Sequence, residues 1–272
     1  MENQANENVL NKKVWLNSLK IFAITLGALI FIFFFVISSM FFISPKFDAK
    51  IFNFFGLEKA EEACYVEAYE KSGSNVDLYN LIIFESELEN YEKELMYINE
   101  LMNDEDYVEF YQKLDKSAIN AVEDKSLIAY ACNTNGYLIN QKLKCMYALG
   151  FSEININNFV KTQIESEFLF DNTFIVYVEL IKNDESLTVE QKQQKLEAVY
   201  NMVDTSLSNR LLKLKTYVDS DVSLANKIIA QNAIVNIKKA DYLIDVINES
   251  EDSESSKASY ENALLVYNNM IK

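Results

Sequence analysis

The feature that most limits how this chain can fold is an uncharged apolar segment at residues 21–43, which reads IFAITLGALIFIFFFVISSMFFI. A helix rises about 1.5 Å per residue, so this segment reaches roughly 35 Å, enough to cross a hydrocarbon core about 30 Å thick. Trp15 lies before it, where an interfacial aromatic residue belongs, and Pro45 follows where a helix is expected to stop. We therefore predict a transmembrane helix at residues 21–43.

Two other interpretations of the apolar segment are weaker. A cleaved signal peptide has an apolar core of about 7–15 residues and a small-residue exit, whereas this segment is longer and leaves through Met40-Phe41-Phe42. A buried core helix is also disfavoured, because soluble cores rarely need apolar residues on every face of a helix. The segment is therefore expected to be an uncleaved signal anchor.

The orientation of this anchor depends on flanking lysines. Lys12, Lys13 and Lys20 precede it, while lysines at 46, 50 and 59 follow it, so the positive-inside rule favours neither side strongly. A short basic leader is usually retained inside, and a long following domain can translocate whatever its charge. We expect a single-pass protein of the cell membrane, with a cytoplasmic N-terminus and an extracytoplasmic C-terminal domain.

The domain organisation follows from the anchor. We predict a short basic leader at residues 1–20, the transmembrane helix at 21–43, a juxtamembrane amphipathic segment at 44–56, and an acidic helical domain at 57–272 with a subdivision near 184–188. In the juxtamembrane segment, Phe47, Ile51, Phe54 and Phe55 share one helix face. Such a face either lies in the membrane interface or forms the first turns of the domain core, and both alternatives stay open.

Scarcity of turn formers predicts an all-α fold. The chain has five glycines and one proline, and no stretch alternates apolar and polar residues in the manner of a strand. The rhythm of apolar residues predicts one helix over residues 78–102 and another over residues 124–149. Gly150 is expected to follow that second helix, with Ser152 as the next N-cap.

The C-terminal third carries the clearest helix signals. Thr188-x-x-Gln191 has the form of a capping box, and apolar residues then recur at spacings of three and four through Val218. A second apolar stripe extends from Ala225 to Ile247, and residues 250–256 form a polar acidic link before the last helix. We expect an α-helical hairpin or solenoid-like domain.

Several short patterns resemble tetratricopeptide repeats. Tyr260, Ala263 and Tyr267 match the start of the second helix of such a repeat, and Tyr91-Glu92-Lys93-Glu94-Leu95 follows the same form in part. The stretch from Ala148 to Glu153 is similar to the turn between the two repeat helices. The usual 34-residue period and the proline at the end of each repeat are missing. The resemblance implies a solenoid with a concave surface for a partner.

Composition excludes most chemistries and ligands. The net charge is −16 and residues 51–272 alone carry −18, which disfavours nucleic acid and anionic headgroups as ligands of that part of the chain. Because the chain has no histidine, histidine-based nucleophile systems and histidine-ligated zinc are absent. There is no phosphate-binding glycine loop, so no nucleotide is expected. The three cysteines form no C-x-x-C pair, and we predict no disulfide, metal or other cofactor.

Carboxylates are the remaining candidates for catalytic groups. Glu85 and Glu89 lie at helical spacing, as do Asp241 and Asp245, and a glycosidase needs two such groups at a defined separation. In so acidic a chain these residues are more simply the solvated faces of helices. A membrane-bound, carboxylate-dependent hydrolase of cell-wall glycan is therefore kept as an alternative, and catalysis is not expected.

Tyrosines supply the predicted partner-binding residues. Tyr65, Tyr69, Tyr107 and Tyr111 form two pairs at helical spacing, and tyrosine is favoured at interfaces because its ring buries while its hydroxyl stays paired. The alternative is that these rings lie at the margin of the core.

Abundant lysine, asparagine and isoleucine beside a single arginine, Arg210, is typical of AT-rich bacterial coding.

From these features we predict a membrane-anchored, non-catalytic helical interaction or scaffold protein. Residues 21–43 bind the membrane, and the C-terminal domain is presented to protein partners, its own copies included, outside a bacterial cytoplasmic membrane. A cytoplasm-facing helical adaptor is the second alternative.

Overall fold

The computed structural model describes residues 22, 25–27, 29–36, 38–39, 45–131, 133–168, 170 and 172–272. In these residues every regular element is a helix and there is no strand, so the all-α prediction is confirmed for the described chain. The chain divides into an N-terminal unit, residues 1–81, and a C-terminal unit, residues 82–272.

From residue 45 onward, where its description is continuous, the N-terminal unit contains two complete helices and the start of a third. The helices are α1 (Pro45–Phe54), α2 (Glu58–Ser72) and α3 (Asn75–Glu87), and the division between the units falls within α3. α1 packs against α2, and Gly73 ends α2 in the left-handed conformation with its N–H on the Tyr69 carbonyl. Small side chains suit the close approach of two helices, and Ala49, Cys64 and Ala68 are buried.

The C-terminal unit continues as a succession of helices. They are α4 (Tyr91–Met102), α5 (Tyr107–Ala121), a 3₁₀ turn (Lys125–Leu127), α6 (Ile128–Ala131), α7 (Thr134–Ala148), α8 (Glu153–Glu165), α9 (Thr173–Asn183), α10 (Val189–Asp219), α11 (Leu224–Ile247) and α12 (Ser253–Ile271). Neighbours in sequence pack together: α11 contacts both α10 and α12, and α8 contacts α7, α9 and α10.

The helices from α6 through α12 share one apolar core. α10 contributes Leu196, Val199, Val203, Leu207 and Leu214, the predicted stripe at spacings of three and four. α11 is buried on most of its circumference, with Ile228, Ala233 and Ala240 among its core residues. The stretch near 184–188 connects α9 to α10, and both of these helices belong to this core.

Capping signals in the sequence are confirmed. Thr188 and Gln191 form a reciprocal capping box at the start of α10. Ser152 is the N-cap of α8, and Gly150 has a φ of +71°, the left-handed conformation that glycine adopts after a helix end.

Three helix predictions need correction. The helix expected over residues 78–102 is interrupted between α3 and α4, where Glu89 takes a φ of +54°. The helix expected over residues 124–149 is divided into the 3₁₀ turn, α6 and α7. The acidic link is shorter than expected, because α12 already begins at Ser253.

The predicted transmembrane segment lies only partly within the described residues. Residues 21, 23–24, 28, 37 and 40–43 lie outside them, as does the leader at 1–20. In the described part of the chain, no helix combines the length and apolar character that crossing a membrane requires.

Candidate functional site

The candidate site is a groove between α7 and α9, which lie side by side and run in the same direction. Near their first residues, Asn133 Nδ2 donates to the Phe170 carbonyl at 3.3 Å. At their last residues, the Tyr147 hydroxyl donates to Asp184 Oδ2 at 2.6 Å. These two bonds join the helices at both ends and leave a groove along their length.

Polar side chains line this groove at helical spacing. The α7 side consists of Asn133, Tyr137, Asn140, Lys144 and Tyr147, and the α9 side of Asn172, Val176, Glu179 and Asn183. Each set recurs every three or four residues and so forms one helix face. We call this feature, together with the α11 residues described next, the amide groove.

α11 closes the groove at its N-terminal end. Asn232, Asn236 and Lys239 follow one face of α11 and line a cleft of about 280 Å³ with the first half of the α7 and α9 stripes. Lys239 Nζ lies 2.6 Å from Glu179 Oε1, and both side chains are more than one-third exposed. This end of the groove therefore presents five asparagine side chains with one neutralised ion pair.

Three of these amides have an oxygen that is shielded from solvent without a hydrogen-bond partner in the described structure. They are Oδ1 of Asn133, Asn140 and Asn172. A buried acceptor left in this state costs about 1–3 kcal/mol. All three residues line the groove, so a turn of the side chain would be needed to bring each oxygen to a donor bound there.

Two of the three amides occupy N-cap positions that they do not use. Asn133 precedes α7 and Asn172 precedes α9, and neither side chain makes the usual capping bond to the helix. Asparagine is among the best capping residues because its oxygen accepts a backbone N–H of the first turn. Here neither amide makes the capping bond to its helix, and both residues line the groove.

Gly136 allows Asn133 to take this position. A Cβ atom at residue 136 would lie 2.4 Å from Asn133 Oδ1 and 2.6 Å from Nδ2, closer than real side chains approach. Only glycine leaves room for the amide to lie against the first turn of α7. Gly136 is therefore a positioning residue for the groove.

The single arginine supports the segment that leads into α9. Arg210 of α10 is buried, and its Nη2 donates to the carbonyls of Gln163, Ser166 and Phe168 at 2.9–3.1 Å. Carbonyls at a helix C-terminus lack intrahelical donors, and a guanidinium can serve several of them at once. Arg210 thus anchors the end of α8 and the start of the segment that carries Asn172.

The C-terminal end of the groove has a different character. It widens to a cleft of about 700 Å³ lined by Tyr91, Lys144, Tyr147 and Asp184 among others. Burial and the bond to Asp184 raise the pKa of Tyr147, while the bonds from Ser186 and Tyr147 lower the pKa of Asp184. The Tyr147 hydroxyl is therefore a donor and the Asp184 carboxylate stays ionised at neutral pH.

The predicted partner-binding tyrosines lie in two separate places. Tyr65 and Tyr69 are half-buried on α2 of the N-terminal unit. Tyr107 is buried on α5, where its hydroxyl donates to Asn135 and its ring lies 5.2 Å from that of Tyr111. Tyr111 also contacts Phe168. None of the four lines the amide groove.

The carboxylates considered for catalysis also lie elsewhere. Glu85 is buried and accepts a bond from Asn90 Nδ2 at 2.8 Å, while Glu89 is exposed. Asp241 lies 3.1 Å from Lys238 on α11, and burial raises its pKa. In the described residues, no group of three or more acidic or cysteine side chains is placed to hold a metal ion.

No protein-family model matches the chain, and comparison with curated proteins and with solved structures gives no match. The site is therefore interpreted from its own geometry. Its most informative part is the asparagine set, which the sequence analysis did not single out. The signal was present, because Asn133 and Asn140 lie seven residues apart and Asn232 and Asn236 four residues apart, both on helix faces.

Proposed function

We propose that this protein is a membrane-anchored, non-catalytic helical interaction module that binds an extended peptide segment of a partner protein in the amide groove. The carrying observation is the set of five asparagines, Asn133, Asn140, Asn172, Asn232 and Asn236, that line one end of this groove. An asparagine side chain offers the same donor and acceptor groups as a peptide bond. A row of such groups suits the backbone of an extended chain.

The dimensions of the groove agree with this ligand. From Asn133 to Tyr147 the lining follows 14 residues of α7, roughly 21 Å at the helical rise. An extended peptide advances about 3.3 Å per residue, so the groove accommodates about six residues. The mixed lining favours a polar, uncharged segment at the asparagine end and a segment with some charge near Lys144 and Asp184.

Membrane anchoring rests on the apolar segment at residues 21–43. Its described residues are helical, and their large side chains face outward, including Phe31 at 71% exposure and Phe35 at 65%. A helix that is apolar all round is stable only when it is buried in protein or lipid. A lipid bilayer satisfies that requirement, and the basic leader supports a cytoplasmic N-terminus.

Parallel neighbours such as α7 and α9, separated by an antiparallel α8, are the arrangement expected of stacked helical hairpins. The resemblance to tetratricopeptide repeats, if it reflects common architecture, would place the partner on such a surface. A second copy of this chain is one candidate partner.

Selection of peptides tests the proposed groove. Full-length protein in lipid nanodiscs would be used to select binders from a phage library of random peptides, and affinities of the selected peptides measured by fluorescence anisotropy. Asn140→Leu and Asn236→Leu are each expected to weaken binding by roughly tenfold, about 1.4 kcal/mol. Asn140→Leu should leave the free protein at least as stable, because it removes a shielded oxygen that lacks a partner.

The matched control is Asn201→Leu on the exposed face of α10, outside the groove. It should leave peptide binding unchanged. Selected peptides that bind Asn140→Leu, Asn236→Leu and Asn201→Leu alike would show that the groove is not the binding site.

The hydrolase alternative is supported only by the raised pKa of Asp241, which lies near Asp204 and Asp245. A carboxyl group that stays protonated beside an ionised one is the arrangement used for glycoside hydrolysis. Asp241→Asn is expected to leave function in vivo intact if the protein is a binding module. Loss of function in a correctly folded Asp241→Asn protein would favour the hydrolase.

The side of the membrane is tested by reporter fusions. We expect a periplasmic-type reporter at the C-terminus to be active and a cytosolic reporter to be silent. The reverse pattern would favour the cytoplasm-facing adaptor, with the same groove turned to cytoplasmic partners.

A further inference from the structure

In helix α1, apolar side chains face outward and a charged side chain is buried. Two of its large apolar residues face outward, with Phe47 50% exposed and Phe54, two turns later on the same line, 83% exposed, while Ile51 and Phe52 are half-buried. Its buried residues include Asp48 and Ala49. In a helix facing water the aromatic side chains would be buried and the carboxylate exposed.

The outward residues form one apolar surface. Phe55 continues from Phe54, with the two rings edge to face at a centroid distance of 5.2 Å, and Leu57 follows with half of its surface exposed. We call Phe47, Phe54, Phe55 and Leu57 the aromatic face. The exposure of these side chains favours the membrane-interface alternative over the first turns of a core.

Basic residues border the aromatic face. Lys50 and Lys59 are exposed, and Lys46, partly exposed, is paired with Asp77. Residues 45–59 contain three lysines and two acids, Asp48 and Glu58, so this stretch is less acidic than the chain as a whole, whose net charge is −16. Exposed aromatic residues bordered by lysines are the composition of a helix that lies at the surface of an anionic membrane.

The position of α1 in the sequence also indicates that its aromatic face contacts a lipid bilayer. Phe47 follows the last residue of the apolar segment 21–43 by four residues, a distance of about 14 Å at most for an extended chain. Each headgroup layer is about 5–8 Å thick, because the full bilayer exceeds its hydrocarbon core by about 10–15 Å over its two sides, so the chain is long enough to place Phe47 anywhere in that layer. If residues 21–43 span the membrane, the aromatic face is held within reach of the interface.

We propose that α1 lies in the plane of the membrane, with the aromatic face inserted at the boundary between headgroups and acyl chains and the adjoining lysines on anionic lipid. This proposal rests on the proposed anchoring by residues 21–43. It adds a second membrane contact, which orients the domain that follows.

Tryptophan fluorescence tests the insertion directly, because Trp15 is the chain's single tryptophan. The full-length Trp15→Phe, Phe54→Trp protein would be reconstituted in phosphatidylcholine vesicles containing phosphatidylglycerol. We expect blue-shifted emission and strong quenching when brominated lipid replaces part of the phosphatidylcholine. The control is Trp15→Phe, Phe151→Trp, which reports an exposed site in the turn between α7 and α8 and should be quenched several-fold less.

Flotation of the same vesicles separates the two proposals. If the protein floats with the vesicles but residue 54 is quenched no more than residue 151, the interfacial position of α1 is wrong and the anchoring stands. If the protein does not float, both are wrong. Blue-shifted emission that lipid bromines do not quench, and that shifts to the red when protein is diluted in lipid, would assign the aromatic face to a second copy and overturn the proposal.

Discussion

Asp48 in the N-terminal unit and Arg210 in the C-terminal unit are both buried charged residues, yet their surroundings differ completely. Three carbonyl oxygens accept bonds from Nη2 of Arg210. Neither carboxylate oxygen of Asp48 has a hydrogen-bond partner in the described structure, and Glu61 and Cys64 lie nearby. A buried charge that makes several hydrogen bonds supports a fold better than one that makes none, so the two residues should act in opposite directions.

The two units also differ in where their apolar and charged residues lie. The N-terminal unit exposes phenylalanines on α1 and buries Asp48, whereas the C-terminal unit buries a continuous apolar core from α6 to α12. The C-terminal unit therefore follows the rules for a domain in water. The N-terminal unit is better explained by an apolar medium on one side, as the proposal for α1 requires.

Arg210→Met should have the largest effect on stability. Its loss removes a shared donor from the carbonyls of Gln163, Ser166 and Phe168, of which Gln163 keeps its bonds from Ser166, and the free energy of unfolding is expected to fall by about 3 kcal/mol. The measurement is urea denaturation of the full-length protein in detergent, followed by circular dichroism. Lys213→Met, one turn away and exposed, is the control and should change stability by less than about 0.5 kcal/mol. Equal effects of the two variants would refute the structural role of Arg210.

Asp48→Asn should have the opposite effect and raise the stability of the protein. Burial raises the pKa of Asp48 above its usual value, so ionisation favours the unfolded state. The stability that the protonated carboxyl contributes is full below its ordinary pKa and is lost as the pH rises through the folded-state pKa. At pH 7 the variant should therefore be more stable than the native protein by about 1–2 kcal/mol.

The pH dependence provides the check on Asp48. The difference between Asp48→Asn and the native protein should shrink as the pH falls towards about 4, the ordinary aspartate pKa. Glu70→Gln, an exposed acid on α2, serves as the control and should show no such trend. A destabilised Asp48→Asn protein at neutral pH would mean that the carboxylate has a favourable partner and that the contrast with Arg210 fails.

Lys239→Met should have the smallest effect. The ion pair with Glu179 is exposed on both sides, so its loss should cost no more than about 0.5 kcal/mol in the denaturation assay. If the pair belongs to the binding surface, the same variant should change the affinity of a peptide selected on the groove more than it changes stability. A loss of stability as large as that of Arg210→Met would instead make this pair part of the core.

Much of the helical framework could be predicted from local sequence. The Thr188 and Gln191 capping box and the turn at Gly150 depend on interactions within a few residues. The interruption at Glu89 could not be predicted, because a residue with a side chain takes the left-handed conformation there without a glycine or proline nearby. The interruption before Thr134 was missed for a related reason, since asparagine in a helical rhythm gives only a weak stop signal.

The candidate site was harder to predict than the fold. Tyr107 and Tyr111 do form the expected pair, but Tyr107 is buried and its hydroxyl is bonded to Asn135. The spacing of a pair along one helix shows that the residues share a face and leaves open what that face contacts. The asparagines were not predicted as site residues because asparagine is common in caps and loops, where its amide bonds to the nearby backbone.

By itself the sequence determined that the chain is helical, where several of its helices are capped, and that its apolar residues cluster into residues 21–43 and the stripes of α10 and α11. These properties depend on short-range hydrogen bonds and on the periodicity of side chains along one helix. Only the tertiary structure decided that the phenylalanines of α1 face outward, and that asparagines from α7, α9 and α11 meet in one groove. Those arrangements depend on which helix faces pack together, and packing is settled between residues far apart in the chain.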